Sequence, residues 1–474
     1  MNRQNIVWHL MLALMVVAAA AFVGQMRRWQ TEQPPPFIET PRAGFPDRER
    51  AEPDAHREAK DILVRFRAGT SEERVEEITD SLNDEVDDRI ESVAGLFEID
   101  DRDDEDPREV AARYAAMPEV EYAEAVETIA LDDPPAPSSI AGHLNDSGVG
   151  LPNDPMLGEQ WALINKGQRE GKDKADIGAL TAWQRTQGSD SVVVAVLDSG
   201  VDYTHPDLSE NIWTRPDSVA PYEDEHLGTV DDVRGFNAVE NARDPMDENG
   251  HGTHCAGIVG AVGNNGEGIA GVNWKVEIMP LKFIGSGGFG NTKDAIEAIN
   301  YVIDRKRAGV NVRVISASWG STVRSRALQD VIRKAGDAGI LFVAAAGNSS
   351  ADTDRRPHYP SSYDLPNVVA VAAMNRRDEL AGFSNYGAKS VHLAAPGAEI
   401  LSTWLKGDYR EASGTSMATP VVSGVAALVL SVDADLSVKE LRERLLGSVD
   451  KVDALNGKVS SGGRVNAARA VGVD

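Results

Sequence analysis

Three short stretches hold residues that could do covalent chemistry together. Ser416 lies in Gly414-Thr415-Ser416-Met417-Ala418-Thr419-Pro420, between a turn of small residues and the apolar run 421–430. That setting suits a nucleophile at the mouth of a buried helix. Asp198 ends the apolar run Val194-Ala195-Val196-Leu197. His251 and His254 share Asn249-Gly250-His251-Gly252-Thr253-His254-Cys255-Ala256-Gly257. A serine hydroxyl is a weak nucleophile at neutral pH and needs a base within hydrogen-bond reach. Histidine can take that proton and return it. A carboxylate behind the ring fixes its tautomer and stabilises the imidazolium. Such a set performs acyl transfer through a serine ester.

The order Asp198, histidine, Ser416, with these flanking residues, resembles that of the subtilisin-like serine proteases from about residue 153 onward. The resemblance implies that His251 is the base, Asp198 its orienting partner and His254 a structural neighbour. It also implies that Asn348, in Ala344-Ala345-Ala346-Gly347-Asn348, donates to the developing oxyanion, with the Ser416 amide as second donor. Ser318-Trp319-Gly320 resembles the segment to which an extended peptide adds as a strand. There Gly320 would leave room for a side chain entering the primary pocket, and Trp319 would reshape a neighbouring subsite.

The glycine-rich stretch 262–271 resembles a structural calcium loop of thermitase-like members of that family. Calcium takes roughly six to eight oxygens, carbonyls included. The match assigns carbonyls to Val262, Glu267 and Ile269, a side-chain oxygen to Asn265, and carboxylates to Asp154 and Asp207. A second ion near Asn237, Asp244 and Asp247 matches poorly, because Ala242 and Met246 stand at ligand positions. No organic cofactor is implied. The single cysteine, Cys255, excludes an intramolecular disulfide and reads as a small buried residue near the site.

The elements that must position these groups follow from periodicity. Continuous apolar runs at 192–197, 276–283, 312–318, 340–346 and 368–373 are expected of parallel strands covered on both faces. Helical patterns at 292–307, 325–338 and 416–431 separate them. We expect an α/β domain over 153–474, a three-layer parallel sheet with ligand chemistry at the strand C-terminal ends. Asp198, Trp319 and Asn348 fall at such ends. Residues 61–131 read as strand-helix-strand-strand-helix-strand, a small α+β ferredoxin-like unit. Ser71 opens its first helix, Pro107 its second, and its last strand spans 120–129. It resembles the inhibitory propeptides of the same family.

Composition narrows the partners. A net charge of −27 argues against nucleic acid. The apolar run 6–23, within 1–30, reads as either a cleaved export signal or a retained anchor, near the lower length limit of about 17–25 residues for a span. Residues 31–60 read as a Pro- and charge-rich linker, and 132–152 as a connector holding a processing site. The sequence therefore predicts an exported endopeptidase, secreted or periplasmic, acting on polypeptides and made as a zymogen inhibited by its own propeptide. The alternatives are an inactive binding module, or an esterase or peptide cyclase on the same scaffold.

Overall fold

A computed structural model describes residues 61–103, 105–131, 151–224 and 227–473. The expected signal or anchor (1–30), the linker (31–60) and all but the end of the connector (132–150) lie outside the described residues.

Alternation along each central strand builds two cores, one on each face of the sheet. In the strand Gly188–Asp198, Val194 and Val196 enter one core, while Val193, Ala195 and Leu197 enter the other. This double coverage is why the sequence runs are continuous rather than alternating. Among the described residues the sheet has nine strands. Its centre runs Val368–Met374, Leu341–Ala345, Val312–Ala317, Gly188–Asp198, Lys275–Lys282, all paired in parallel. Only the edge pair Asp450–Lys451 with Gly463–Arg464 is antiparallel.

One face carries the helices His251–Gly260 and Thr415–Val432. Thr415–Val432 is the one helix among the described residues long and apolar enough to cross a membrane. Its residues from Thr415 to Leu430 are all buried, so its apolarity serves the core. The other face carries Thr292–Arg307 and Arg326–Asp337, capped by Asn291 and Ser325.

Residues 61–131 form the expected ferredoxin-like unit. Its antiparallel sheet has the order Asp84–Arg89, Leu96–Asp101, Ile62–Phe66, Val120–Ala125. The last expected strand, 120–129, is in fact two. Val120–Ala125 stays in this sheet, whereas Thr128–Ala130 leaves it and pairs with Phe289–Asn291 of the larger domain. Ile129, buried in the larger domain's core, draws it across.

The unit sits on the second helical face. Glu124 accepts from the amides of Arg326 (2.8 Å) and Ala327 (3.1 Å), so a carboxylate meets the positive end of the helix Arg326–Asp337. The Tyr122 hydroxyl donates to Asp330 (2.9 Å), which also pairs with Arg65. At the same seam Asp88, Asp224 and Glu297 bring carboxylate oxygens within 4.8 Å of one another. Burial, and then its carboxylate neighbours, push Glu297 well above the usual glutamate range.

Candidate active site

Asp198 is the last residue of its strand and fully buried. Its Oδ1 accepts from the Ser199 amide (2.8 Å) and from His251 Nδ1 (2.7 Å). His251 opens its helix, and that helix must run against the strand end. Gly252 permits this, since a Cβ there would stand 2.1 Å from the Gly200 carbonyl oxygen. The turn before His251 is built on Asp247, a residue read from sequence only as a weak metal ligand. Asp247 Oδ1 accepts from Ser199 Oγ and from the amides of Asn249 and Gly250, each at 2.9 Å. Its Oδ2 accepts from the Thr253 amide (3.0 Å) and hydroxyl (2.6 Å). Five donors saturate this carboxylate and fix in place the helix that His251 opens.

Burial alone would lower the His251 pKa, but the Asp198 carboxylate outweighs it and holds the ring well above its ordinary 6.5. His254 is different. Its Nε2 faces the carbonyls of Ile400 (3.1 Å) and Arg410 (2.9 Å), and burial pushes its pKa down to about 3. It is a neutral core histidine. A base must be unprotonated to accept a proton, so activity should build up only as pH rises through the raised His251 value. The acid limb of kcat/KM is expected well above pH 6.5, and an initial-rate pH profile checks this.

Ser416 is the second residue of the helix Thr415–Val432. Pro420, four residues on, has no N–H to return to the Ser416 carbonyl. That carbonyl instead accepts from Ser318 Oγ (2.8 Å) and lies 3.5 Å from Cys255 Sγ. The Ser416 hydroxyl donates to the Ser318 carbonyl (3.1 Å), and no described hydrogen bond joins it to His251. Cys255 Sγ is also 4.0 Å from His251 Nδ1, so one buried thiol touches both halves of the site. Ser318 thus locks Ser416 at both its carbonyl and its hydroxyl, which sequence reasoning missed although Pro420 was its signal.

Asn348 follows the strand Leu341–Ala345. Its Oδ1 accepts from the Thr415 amide (2.8 Å) and hydroxyl (3.1 Å), which orients the side chain. Its Nδ2 is buried and has no partner among the described residues. A Cβ on Gly414 would lie 3.4 Å from this Nδ2 and 3.5 Å from the Ser416 amide nitrogen. Two donors therefore flank one small space. First-turn amides such as that of Ser416 have no intrahelical acceptor.

The cleft beside Ser416 holds the chain's own strand. Thr128–Ala130 lies antiparallel to Phe289–Asn291 on one side, and Ala130 bridges Gly320 on the other. The Leu131 amide donates to the Gly288 carbonyl (2.9 Å). Segment 288–291 is a second wall that the sequence did not reveal. The expected subsite role of the Trp319 ring does not hold. The ring is buried against Phe283 (centroids 4.7 Å apart), and its Nε1 donates to the Leu197 carbonyl (2.9 Å). Gly320 also differs from expectation, because the space above it is taken by His358, 2.1 Å from where a Cβ would stand.

The residues expected to hold calcium lie together. The amides of Asn264 (2.8 Å) and Asn265 (3.2 Å) donate to Asp154. The Ile269 amide donates to Asp207 Oδ2 (2.9 Å), and the Val262 amide to the Asp207 carbonyl (2.8 Å). Asn265 is tied into this loop through both of its side-chain polar atoms. Its Oδ1 accepts from the Glu267 amide (2.8 Å), and its Nδ2 donates to Asp207 Oδ1 (2.8 Å), because the carboxylate takes the nearest donor. Burial pushes Asp207 up to about 6 and raises Asp154. Two carboxylates from separate segments, packed against one oxygen-rich loop, fit a hard dication.

Residues 189–466 match the family model described as the subtilase family. The chain is 37% identical over 290 residues to a thermophilic serine proteinase of Bacillus sp. (strain AK1), covering 61% of this chain and 64% of that protein. It is 36% identical over 320 residues to thermitase of Thermoactinomyces vulgaris, covering 68% of this chain and 99% of that protein. Among solved structures, a protease from Pseudoalteromonas arctica PAMC 21717 superposes with a TM-score of 0.56 at 29% identity, over 68% of this chain and 98% of that one.

Proposed function

Given that the chain belongs to the subtilase family of subtilisin-like serine proteases, we propose that it is an exported endopeptidase acting through an acyl-enzyme on Ser416. The Ser416 hydroxyl swings from the Ser318 carbonyl to His251, which takes its proton as the oxygen attacks a peptide carbonyl. Asp198 holds the imidazolium. The oxyanion settles between Asn348 Nδ2 and the Ser416 amide. The intermediate collapses, the C–N bond breaks, and His251 gives its proton to the leaving amine. Water then attacks the ester by the reverse steps. The observation that carries this reading is the buried, unpartnered Asn348 Nδ2 beside the nucleophile's amide. Such a donor costs stability unless a ligand fills its space. A fluorophosphonate probe should label Ser416 stoichiometrically, with casein digestion lost in parallel. Failure of both would end the hydrolase reading.

Residues 61–131 act in this reading as an inhibitory propeptide, because Thr128–Ala130 occupies the strand position a substrate needs. Calcium bound by Asp154, Asp207 and Asn265 with the 262–269 backbone supplies stability and no chemistry. At a free calcium of about a hundred times Kd, such a site adds roughly 2.7 kcal/mol. Chelation is expected to lower Tm and added calcium to restore it. In Asp207→Asn, Tm should respond to neither, as differential scanning calorimetry would record.

A further inference from the structure

The strand in the cleft fixes a register, and the register leads to a pocket that is already full. Ala130 stands opposite Gly320 in an antiparallel bridge. In that register, the residue two further along a bound peptide faces Ser318. Ser318 carries the carbonyl to which the Ser416 hydroxyl donates, at 3.1 Å. The peptide carbonyl brought to Ser416 therefore belongs to the residue two beyond the one opposite Gly320. Side chains alternate along a strand, and directly opposed residues share a face. That residue's side chain thus emerges on the face to which a Cβ of Gly320 would point.

Gly320 and Gly347 lie just past the ends of two adjacent parallel strands, Val312–Ala317 and Leu341–Ala345. The Gly347 amide donates to Thr415 Oγ1 (3.0 Å), so this strand end also adjoins the nucleophile's helix. Two residues without side chains would leave a slot between the strand ends. The ring of His358 fills it. A Cβ on Gly320 would overlap its Cε1 and stand 2.7 Å from its Nε2, and one on Gly347 would be 3.0 Å from its Cδ2 and Nε2. The ring is buried, and main chain on both sides holds it there. The His358 amide donates to Ser362 Oγ (3.1 Å), and its carbonyl accepts from Ser361 Oγ and the Ser362 amide, each at 2.8 Å. Tyr359 exchanges two backbone bonds of 2.8 Å with Ser321, the residue after Gly320. The Tyr363 hydroxyl donates to the Ser325 carbonyl (2.7 Å). The loop that carries the ring is thus tied to the same segment that lines the slot.

We propose that His358 is a specificity-determining residue that closes the primary pocket, so that the enzyme cleaves after glycine or alanine and rejects larger residues at that position. This deepens the protease reading and rests on it. A hydrogen or a methyl group stays at the mouth of the slot, whereas a longer side chain must displace a buried ring whose loop is fixed at both ends. Volume is what selects, so apolar, basic and acidic side chains of similar size are rejected alike. The bond broken is the peptide C–N bond following the small residue. Its carbonyl carbon forms the ester with Ser416 Oγ while the leaving amine takes the proton from His251.

The test uses the full chain and a set of fluorogenic peptides differing only in the residue before the scissile bond: Gly, Ala, Leu, Phe, Lys or Glu. Forcing a large side chain into a filled space predicts kcat/KM on Ala above that on Leu, Phe, Lys and Glu by on the order of ten- to a hundredfold. His358→Gly empties the slot and should raise the Phe-to-Ala ratio by a similar factor. His358→Phe, which keeps a ring of similar width without the nitrogens, should keep the preference for Ala. Where a variant does not fold, the wild-type profile decides. The proposal is overturned if wild type cuts after Leu, Phe, Lys or Glu as fast as after Ala, if the preference survives in folded His358→Gly, or if it is lost in folded His358→Phe. Fluorophosphonate labelling of Ser416 separates the two levels. Labelled enzyme without the preference for small residues sinks only the closed pocket, whereas unlabelled and inert protein sinks the protease reading first.

Discussion

Replacing Ser416 with alanine is expected to lower kcat on peptide substrates by about a millionfold, the magnitude known for this change in subtilisin. It should also leave residues 31–474 as one uncut chain. The substitution is structurally mild. The Ser416 hydroxyl makes a single described hydrogen bond, to the Ser318 carbonyl, and alanine is at home in a first helical turn. The bond from Ser318 Oγ to the residue-416 carbonyl uses main chain on that side and survives. Loss of activity with unchanged Tm would thus report lost chemistry rather than lost fold. Mass spectrometry of wild type and Ser416→Ala after refolding makes the comparison, and equal cleavage in both would refute self-processing.

Asp198→Asn is the second large effect, an expected fall in kcat of about ten-thousandfold, as for the equivalent change in a trypsin-type triad. Asp198 is fully buried and its Oδ1 already serves both Ser199 and His251. Asparagine keeps the shape and removes the charge. An imidazolium formed during attack would then face a neutral amide in a buried site. Burial, which acts to lower the His251 pKa, would lose its opponent. The residual activity should therefore carry an acid limb moved to lower pH. A merely structural role for Asp198 would reduce the rate without moving that limb.

The sequence made the chemical groups legible because they lie in compact local motifs, and made the sheet legible because strands buried on both faces must be continuously apolar. Its misses were non-local. Asp247 looked like a doubtful metal ligand because its five donors are spread from Ser199 to Thr253. Ser318 looked like substrate-binding backbone, since its exchange with Ser416 crosses two elements. The motif puts Trp319 at a subsite because motif position says where the backbone is, not which way a ring turns. The run 120–129 reads as one strand until Ile129 finds its partners in another domain.

The junction between residues 61–131 and the larger domain has a kinetic consequence. While the chain is continuous, its contacts at Glu124, Tyr122 and the inserted strand benefit from a high effective concentration. One cut turns their re-formation into a second-order encounter that dilution opposes. Glu297, buried beside Asp88 and Asp224, then sets the direction with pH. Its raised pKa means that docking is fully favoured below the ordinary glutamate value and weakens as pH climbs through the raised one. Rising pH therefore acts in one direction on both groups, taking the proton from His251 and weakening the hold of residues 61–131 on the larger domain.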